Sequence, residues 1–288
     1  MTSSPVRAVR NARRFVAPSV IPGFGLTFGY TLFYLILIVL FPLTTLILRA
    51  SDLGAAGFVR ILTEPRVAAS LKTTFCLSFA AALIDLVFGL IVAWVLTRYR
   101  FPFRRLIDAF VDLPFALPTA VAGISLAALY APNGWFGATL ADYGVKIAYT
   151  RWGILVALVF IGLPFVVRTV QPIISELEIE LEEASATLGA SRLQTVWAVL
   201  LPQLFPALLT GFALAFARAI GEYGSVIFIA GNIAYVSEIV PLLIVIKLEQ
   251  YDFAGATGIA AIMLGFSFTA LLAINLIQEW SRRRFGHV

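Results

Sequence analysis

The chain has 288 residues, 60% of them hydrophobic and 13% charged, with a net charge of +5 and a mean hydropathy of +0.95. That is more apolar surface than one water-soluble core hides, so the composition excludes a soluble globular domain and predicts an integral membrane protein. One cysteine, Cys76, and one histidine, His287, exclude a disulfide framework, a Cys/His zinc cluster and a histidine-based catalytic triad.

Arg7, Arg10, Arg13 and Arg14 precede the first apolar run, residues 30–48. This run is longer than the apolar region of a secretory signal and has no A-x-A site after it, so it is expected to be a retained signal anchor. Five more runs follow at 71–96, 109–131, 152–170, 205–230 and 256–277. Each has roughly the 20 residues that a bilayer core about 30 Å thick requires. They lack the ten-residue alternation of a transmembrane barrel, and lipid offers backbone groups no partner, so all six are expected to be helices. The fold class is therefore all-α and polytopic, with a membrane domain over 30–278 between tails at 1–29 and 279–288.

Between the first two runs lie Arg49, Arg60 and Arg66, with Lys72 at the start of the second, and between the second and third lie Arg98, Arg100, Arg104 and Arg105. Alternate loops carry the denser basic clusters: the N-terminal tail, the 98–105 loop and the C-terminal Arg282, Arg283 and Arg284 fall on one side. Lys146, Arg151 and Lys247 are scattered on the other. The positive-inside rule places both termini, the 98–105 loop and the loop at 176–203 in the cytoplasm. Basic residues at membrane edges face anionic head groups and set topology, which removes the nucleic-acid reading of the positive charge. Opposite them, the 131–150 loop and an apolar run at 237–253, too short to span comfortably, face outward.

Within the third and fourth runs, Pro114, Pro118 and Pro164 favour kinks. Asp85 lies mid-helix in the second run, Asp108 and Asp112 stand at the cytoplasmic start of the third and Arg168 near the cytoplasmic end of the fourth, where a bridge between Arg168 and Asp112 is geometrically plausible. After the fourth run comes a polar island. Glu182 and Glu183 open a helix-prone stretch, where acids suit the positive helix N-terminus. Gly189 offers a turn, Ser191 can cap the segment after it, and this second short helix is expected to end at Pro202. Helix, turn, helix makes a protrusion for a partner to grip; periodicity alone leaves an ordinary amphipathic connector equally open. A phosphate-cradling loop is absent, because Lys72, Lys146 and Lys247 follow Leu71, Val145 and Ile246 rather than glycine. A motor, if there is one, is another polypeptide.

In the fifth run, about 100° per residue puts Gly211, Ala215, Arg218, Glu222 and Ser225 on one face, with Phe212, Phe216 and Ile220 turned toward lipid or neighbouring chains. An arginine at a helix centre costs about 2.5–3.5 kcal/mol on insertion scales, so Arg218 is expected to face the bundle interior or a watery cavity. The Arg218–Glu222 pair reads either as an anion contact on a permeation route or as a structural ion pair. No inverted repeat is visible, which weakens the case for a single-chain secondary transporter.

Glu183, Ala184 and Ser185, then Gly189, then Val199, Leu201 and Pro202 have the spacing of the EAA loop of ABC importer permeases, with Ser185 for the second alanine and Val199 for the usual isoleucine. LPFALPTAVAGISLAALYAPNGWFG (113–137), LPFVVRTVQP (163–172), LLTGFALAFARAIGEYGSVIFIAGN (208–232) and IVPLLIVIKLEQYDFAGATGIA (239–260) resemble the T-type sulfate/thiosulfate permeases of that superfamily. The resemblance implies a permease without cofactor or metal, working in a bacterial inner membrane. It also implies a homologous second permease, two copies of an ABC ATPase and a periplasmic sulfate-binding protein. Glu182, Glu183, Ala184, Ser185, Gly189, Val199, Leu201 and Pro202 are then the ATPase-coupling residues; independently of the resemblance, the polar face of the fifth run makes Arg218, Glu222 and Ser225 the candidate permeation residues. Molybdate or tungstate uptake, a secondary anion carrier and a non-transporting scaffold are the alternatives.

Overall fold

Long apolar runs become long helices here, and prolines decide where they break. The structure is a computed structural model; it describes residues 23–285, with side chains described to residue 279. Arg7, Arg10, Arg13, Arg14 and the side chains of Arg282, Arg283 and Arg284 lie outside the described residues. The chain divides after Leu48 into two compact units. The first contains α1 (Phe24–Ser51) as far as Leu48, a helix that starts ahead of the expected residue 30 and buries none of its residues between 24 and 40. Full exposure of such a run is what a lipid-facing helix requires.

The second unit holds α2 (Gly54–Thr63), α3 (Pro65–Arg98), α4 (Arg104–Val111), α5 (Leu113–Ala116), α6 (Thr119–Tyr130), α7 (Trp135–Asp142), α8 (Arg151–Glu176), α9 (Ile179–Thr187), α10 (Arg192–Ile220), α11 (Val226–Ile229), α12 (Val240–Glu249) and α13 (Phe253–Phe285). Among the described residues, five helices are long and apolar enough to cross a membrane: α1, α3, α8, α10 and α13. The third expected span, 109–131, is divided among α4, α5 and α6. Its break falls at Leu117, which is extended at φ −85°, ψ 135°. Pro118 follows, and the proline ring pushes the residue before it out of the helical region. The fifth expected span stops at Ile220 instead of running to residue 230, and α11 follows as a separate turn. α12 has 10 residues, too few to span, as its sequence indicates.

The core is α3, α8 and α10 packed together. Small residues let the backbones close: a methyl on Gly89 would sit 2.7 Å from Val166 Cγ1, and one on Gly211 would sit 3.0 Å from Val166 Cα. Ala82, Ala93 and Ala215 are buried at the same seams. At one end of this bundle Arg66 and Arg151 both bond the 235–238 stretch, and at the other Arg98 bonds the Leu177 carbonyl. α3 and α8 are therefore parallel, and α10 runs back between the ends. α2, α12 and α13 close the first end through Ile61, Val67, Leu243 and Ile259.

Two π-helical turns, Ile36–Leu40 in α1 and Val196–Leu200 in α10, each end two residues before a proline, Pro42 and Pro202. Proline has no N–H and its ring crowds the carbonyl four residues back. The wider turn relieves that crowding, and Phe41 and Leu201 donate to Ile36 and Val196, five residues back. Pro202 therefore does not end the second short helix, as the sequence suggested; α10 passes through it into the membrane domain.

Candidate coupling and permeation sites

The polar island folds as a tight helix hairpin. α9 ends with the Gly189 N–H on the Ala186 carbonyl at 3.0 Å and the Ala190 N–H on the Ser185 carbonyl at 3.1 Å, the Schellman pattern. Gly189 has φ +81° and nothing within 4 Å of where a Cβ would stand, so conformation rather than space requires glycine there. Ser191 then caps α10: the Gln194 N–H donates to its Oγ at 3.4 Å, and its own N–H donates to Gln194 Oε1 at 2.8 Å. The sequence pointed to Ser191 as a cap; the structure adds the reciprocal bond from Gln194.

Ser185, read as a mild departure from alanine, has a task of its own. Its Oγ donates to the Glu182 carbonyl at 2.8 Å and shares a hydrogen bond with Thr195 Oγ1 at 2.8 Å, tying α9 to α10. Glu183, Ala184 and Gly189 are exposed, whereas Val199, Leu201 and Pro202 are half-buried in α10 and support the hairpin. The hairpin also presents Leu188, 88% exposed, and Leu193, 68% exposed, two apolar side chains that sequence reasoning did not single out.

Glu182 faces the bundle. Its Oε1 lies 3.1 Å from the Arg98 guanidinium, off the line of a hydrogen bond, and Arg98 also donates to the Leu177 carbonyl at 3.2 Å and stacks 5.5 Å over Trp94. In the sequence, Arg98 signals only topology. In the fold it is the link between the end of α3 and the start of α9.

Arg168 makes the expected bridge and more. It donates to both oxygens of Asp112, at 2.7 and 2.6 Å, to Asp108 Oδ1 at 2.7 Å and to Gln171 at 2.6 Å. Burial tends to raise the Asp108 carboxyl, but the hydrogen bonds from Arg168 and Gln171 outweigh it and hold the group below its ordinary range. These bonds clamp α4 to α8.

Arg218, Glu222 and Ser225 do come together, though not as one helical stripe. α10 stops at Ile220, and the chain turns so that Glu222 Oε2 meets the Arg218 guanidinium at 2.5 Å while its Oε1 accepts from the Ser225 N–H at 2.8 Å and Oγ at 2.9 Å. Glu222 is 2% exposed and Ser225 is fully buried, whereas Arg218 is partly open. A Cβ on Gly123 would strike the Ser225 carbonyl at 2.3 Å, so α6 packs directly on this turn. Gly211 and Ala215 of the expected stripe face the α8 seam instead. Phe212, Phe216 and Ile220 are buried within the chain, with Phe79 of α3 edge-on to the two phenylalanines at 5.5 and 6.1 Å. α3 covers these rings, so they are packed within the chain instead of turned toward lipid.

Two further features go beyond what the sequence showed. Arg66 holds Glu238 on both oxygens at 2.8 and 2.6 Å across 172 residues, a pairing no local pattern announces. Asp85 is 1% exposed, and neither of its carboxyl oxygens has a partner. It lies against Gly162, where a methyl would come within 2.0 Å of its Oδ2. Among the described residues no group of acids, histidines and cysteines is arranged to hold a metal.

Residues 85–287 match the family of the binding-protein-dependent transport system inner membrane component. The chain is 49% identical over 269 residues to the sulfate transport system permease protein CysT of Salmonella typhimurium, covering 93% of this chain and 97% of that one. It is 52% identical over 257 residues to the protein of the same name from Synechococcus elongatus, covering 89% and 92%. The fold is that of a bacterial alginate ABC transporter chain, crystallised in complex with an alginate pentasaccharide-bound periplasmic protein, with a TM-score of 0.72 at 17% identity over 91% of this chain and 94% of that one.

Proposed function

The chain belongs to the family of binding-protein-dependent transport inner-membrane components, and from that membership we propose that it is the permease subunit of an ATP-driven importer of sulfate and thiosulfate. Identity of about one residue in two to sulfate permeases, along some nine-tenths of the chain, carries the substrate. It is a multi-pass inner-membrane permease and not an ATPase. Its partners are a second, homologous permease, two copies of an ABC ATPase and a periplasmic sulfate-binding protein. Both termini and the α9–α10 hairpin face the cytoplasm.

The hairpin explains how a permease without a motor is driven. Leu188, Leu193 and the exposed Glu183 offer an ATPase groove an apolar tip beside an acid. Force applied there has two rigid exits. One is Arg98, through Glu182, into α3. The other is α10, whose 29 residues run from the Ser191 cap to Ile220, about 43 Å at 1.5 Å per residue. The far end of that rod bears Arg218, so closure of the ATPases rocks the charged turn together with the hairpin. Arg218, partly open and held by Glu222, lowers the cost for a dianion leaving water while the carboxylate keeps the site from becoming a trap.

ATP hydrolysis by the purified assembly with its ATPase and binding protein tests the substrate. Sulfate and thiosulfate should each stimulate it. Stimulation by molybdate or tungstate alone would reassign the transporter.

A further inference from the structure

The half of α3 nearer Pro65 carries a feature that neither the coupling hairpin nor the Arg218 turn uses. Lys72, Thr73 and Cys76, on one side of α3, join Arg151 at the start of α8 and Tyr235 to line a cavity of about 320 Å³. Arg151 donates through Nε to the Val236 carbonyl and at 3.3 Å to the Tyr235 carbonyl. Both acceptors are neutral, so the guanidinium is held in place with its charge uncompensated. Lys72 forms no ion pair among the described residues, and the Thr73 hydroxyl makes no hydrogen bond among them. The one acid between Ala230 and Val240 is Glu238, and Arg66 already occupies both of its oxygens, with Ser70 at 3.4 Å from one. The cavity thus has two cations, a free hydroxyl and no acid in its walls.

An open pocket of that charge suits a small divalent oxyanion, which takes hydrogen bonds from ammonium, guanidinium and hydroxyl donors at once. Its openness suits an entry point, where binding must be firm enough to draw an ion in and weak enough to pass it on. The face of α3 that bears Lys72 continues through exposed Cys76 to exposed Phe79, about 10 Å further along the helix. Phe79 packs on Phe216, two residues before Arg218. We infer that Lys72, Arg151 and Thr73 form an entry site for a tetrahedral dianion on the outward side of the membrane, from which the ion moves along α3 to the level of Arg218. The inference rests on the sulfate-import reading and on the orientation given with it.

Cys76, the only cysteine of the chain, is a reporter built into the cavity. In the assembled transporter in membrane vesicles of native orientation, Cys76 modification is followed by mass spectrometry of this chain, using an anionic thiosulfonate and its neutral methyl counterpart. Sulfate at about ten times its dissociation constant, against chloride at matched ionic strength, should slow both reagents by about tenfold. Lys72→Gln and Arg151→Gln should abolish that protection, and Lys72→Arg should retain it. Protection against the anionic reagent alone would be charge screening and would overturn the site, as would a Cys76 that does not react from outside. Sulfate uptake in the same vesicles reports on the function separately. Uptake without protection overturns the entry site and leaves the function standing; protection without uptake keeps the site and overturns the function.

Discussion

Ser185 and Thr195 share a hydrogen bond of 2.8 Å between their hydroxyl oxygens, across a hairpin whose turn is Gly189 at φ +81°. The bond fixes the distance between α9 and α10, and the glycine fixes the direction in which the chain returns. The two arms of the hairpin are therefore tied to each other, and α10 continues from it for 29 residues.

Gly189 is the position at which coupling should fail without loss of the protein. A β-branched side chain in the left-handed region costs roughly 1–2 kcal/mol or more, and nothing near Gly189 compensates. Gly189→Val should insert and assemble normally yet lose most sulfate-stimulated ATP hydrolysis and uptake, while Gly189→Asn, which tolerates this conformation, should keep them. Normal uptake by a well-expressed Gly189→Val protein contradicts the role given to the turn.

Gly162 and Asp85 should behave as a coupled pair. A methyl at 162 meets Asp85 Oδ2 at 2.0 Å inside packed helices, so Gly162→Ala should destabilise by about 1–3 kcal/mol. Shortening the acid makes room, and the Asp85→Ala, Gly162→Ala double variant should recover much of that loss. Thermal unfolding of the solubilised assembly measures both; a double variant no more stable than Gly162→Ala sinks the steric account.

Arg218→Ala leaves a buried Glu222 with only Ser225 to hold it, which should cost about 3–5 kcal/mol and impair assembly. Removing both charges restores the balance, so the Arg218→Ala, Glu222→Ala protein should assemble. A place on the anion route predicts that it still fails to carry sulfate. Uptake near the wild-type rate would make Arg218 a structural partner only.

Orientation is open to direct labelling. In a Cys76→Ser background, a cysteine at Asn133 should react with an impermeant thiol reagent in intact cells, and one at Asn11 or Ser281 should not. Labelling at 11 and 281 would invert the assignment.

Much of this was legible in local sequence, because local rules govern it. The apolar runs became helices, and Gly189 and Ser191 marked a turn and a cap through backbone requirements that depend on few neighbours. Boundaries set by two competing tendencies were not legible. Pro202 reads as a stop, but a π turn absorbs it; 109–131 reads as one span, but Leu117 before Pro118 breaks it. Pairings across the fold were the least visible, the Arg168–Asp112 bridge excepted. Arg66 and Glu238 are 172 residues apart, and Arg98 looked like a topology charge until α9 folded back beside it. The Arg218, Glu222 and Ser225 trio was found by helical spacing, although a turn beyond the helix end is what assembles it.

ATP-dependent accumulation of radiolabelled sulfate in proteoliposomes, containing this chain with its partner permease, ATPase and binding protein, tests the central claim most directly. The account predicts accumulation that requires both ATP and the binding protein and that collapses in Gly189→Val while the assembly stays intact. Sulfate entry that proceeds without ATP, or that survives removal of the ATPase, would contradict it.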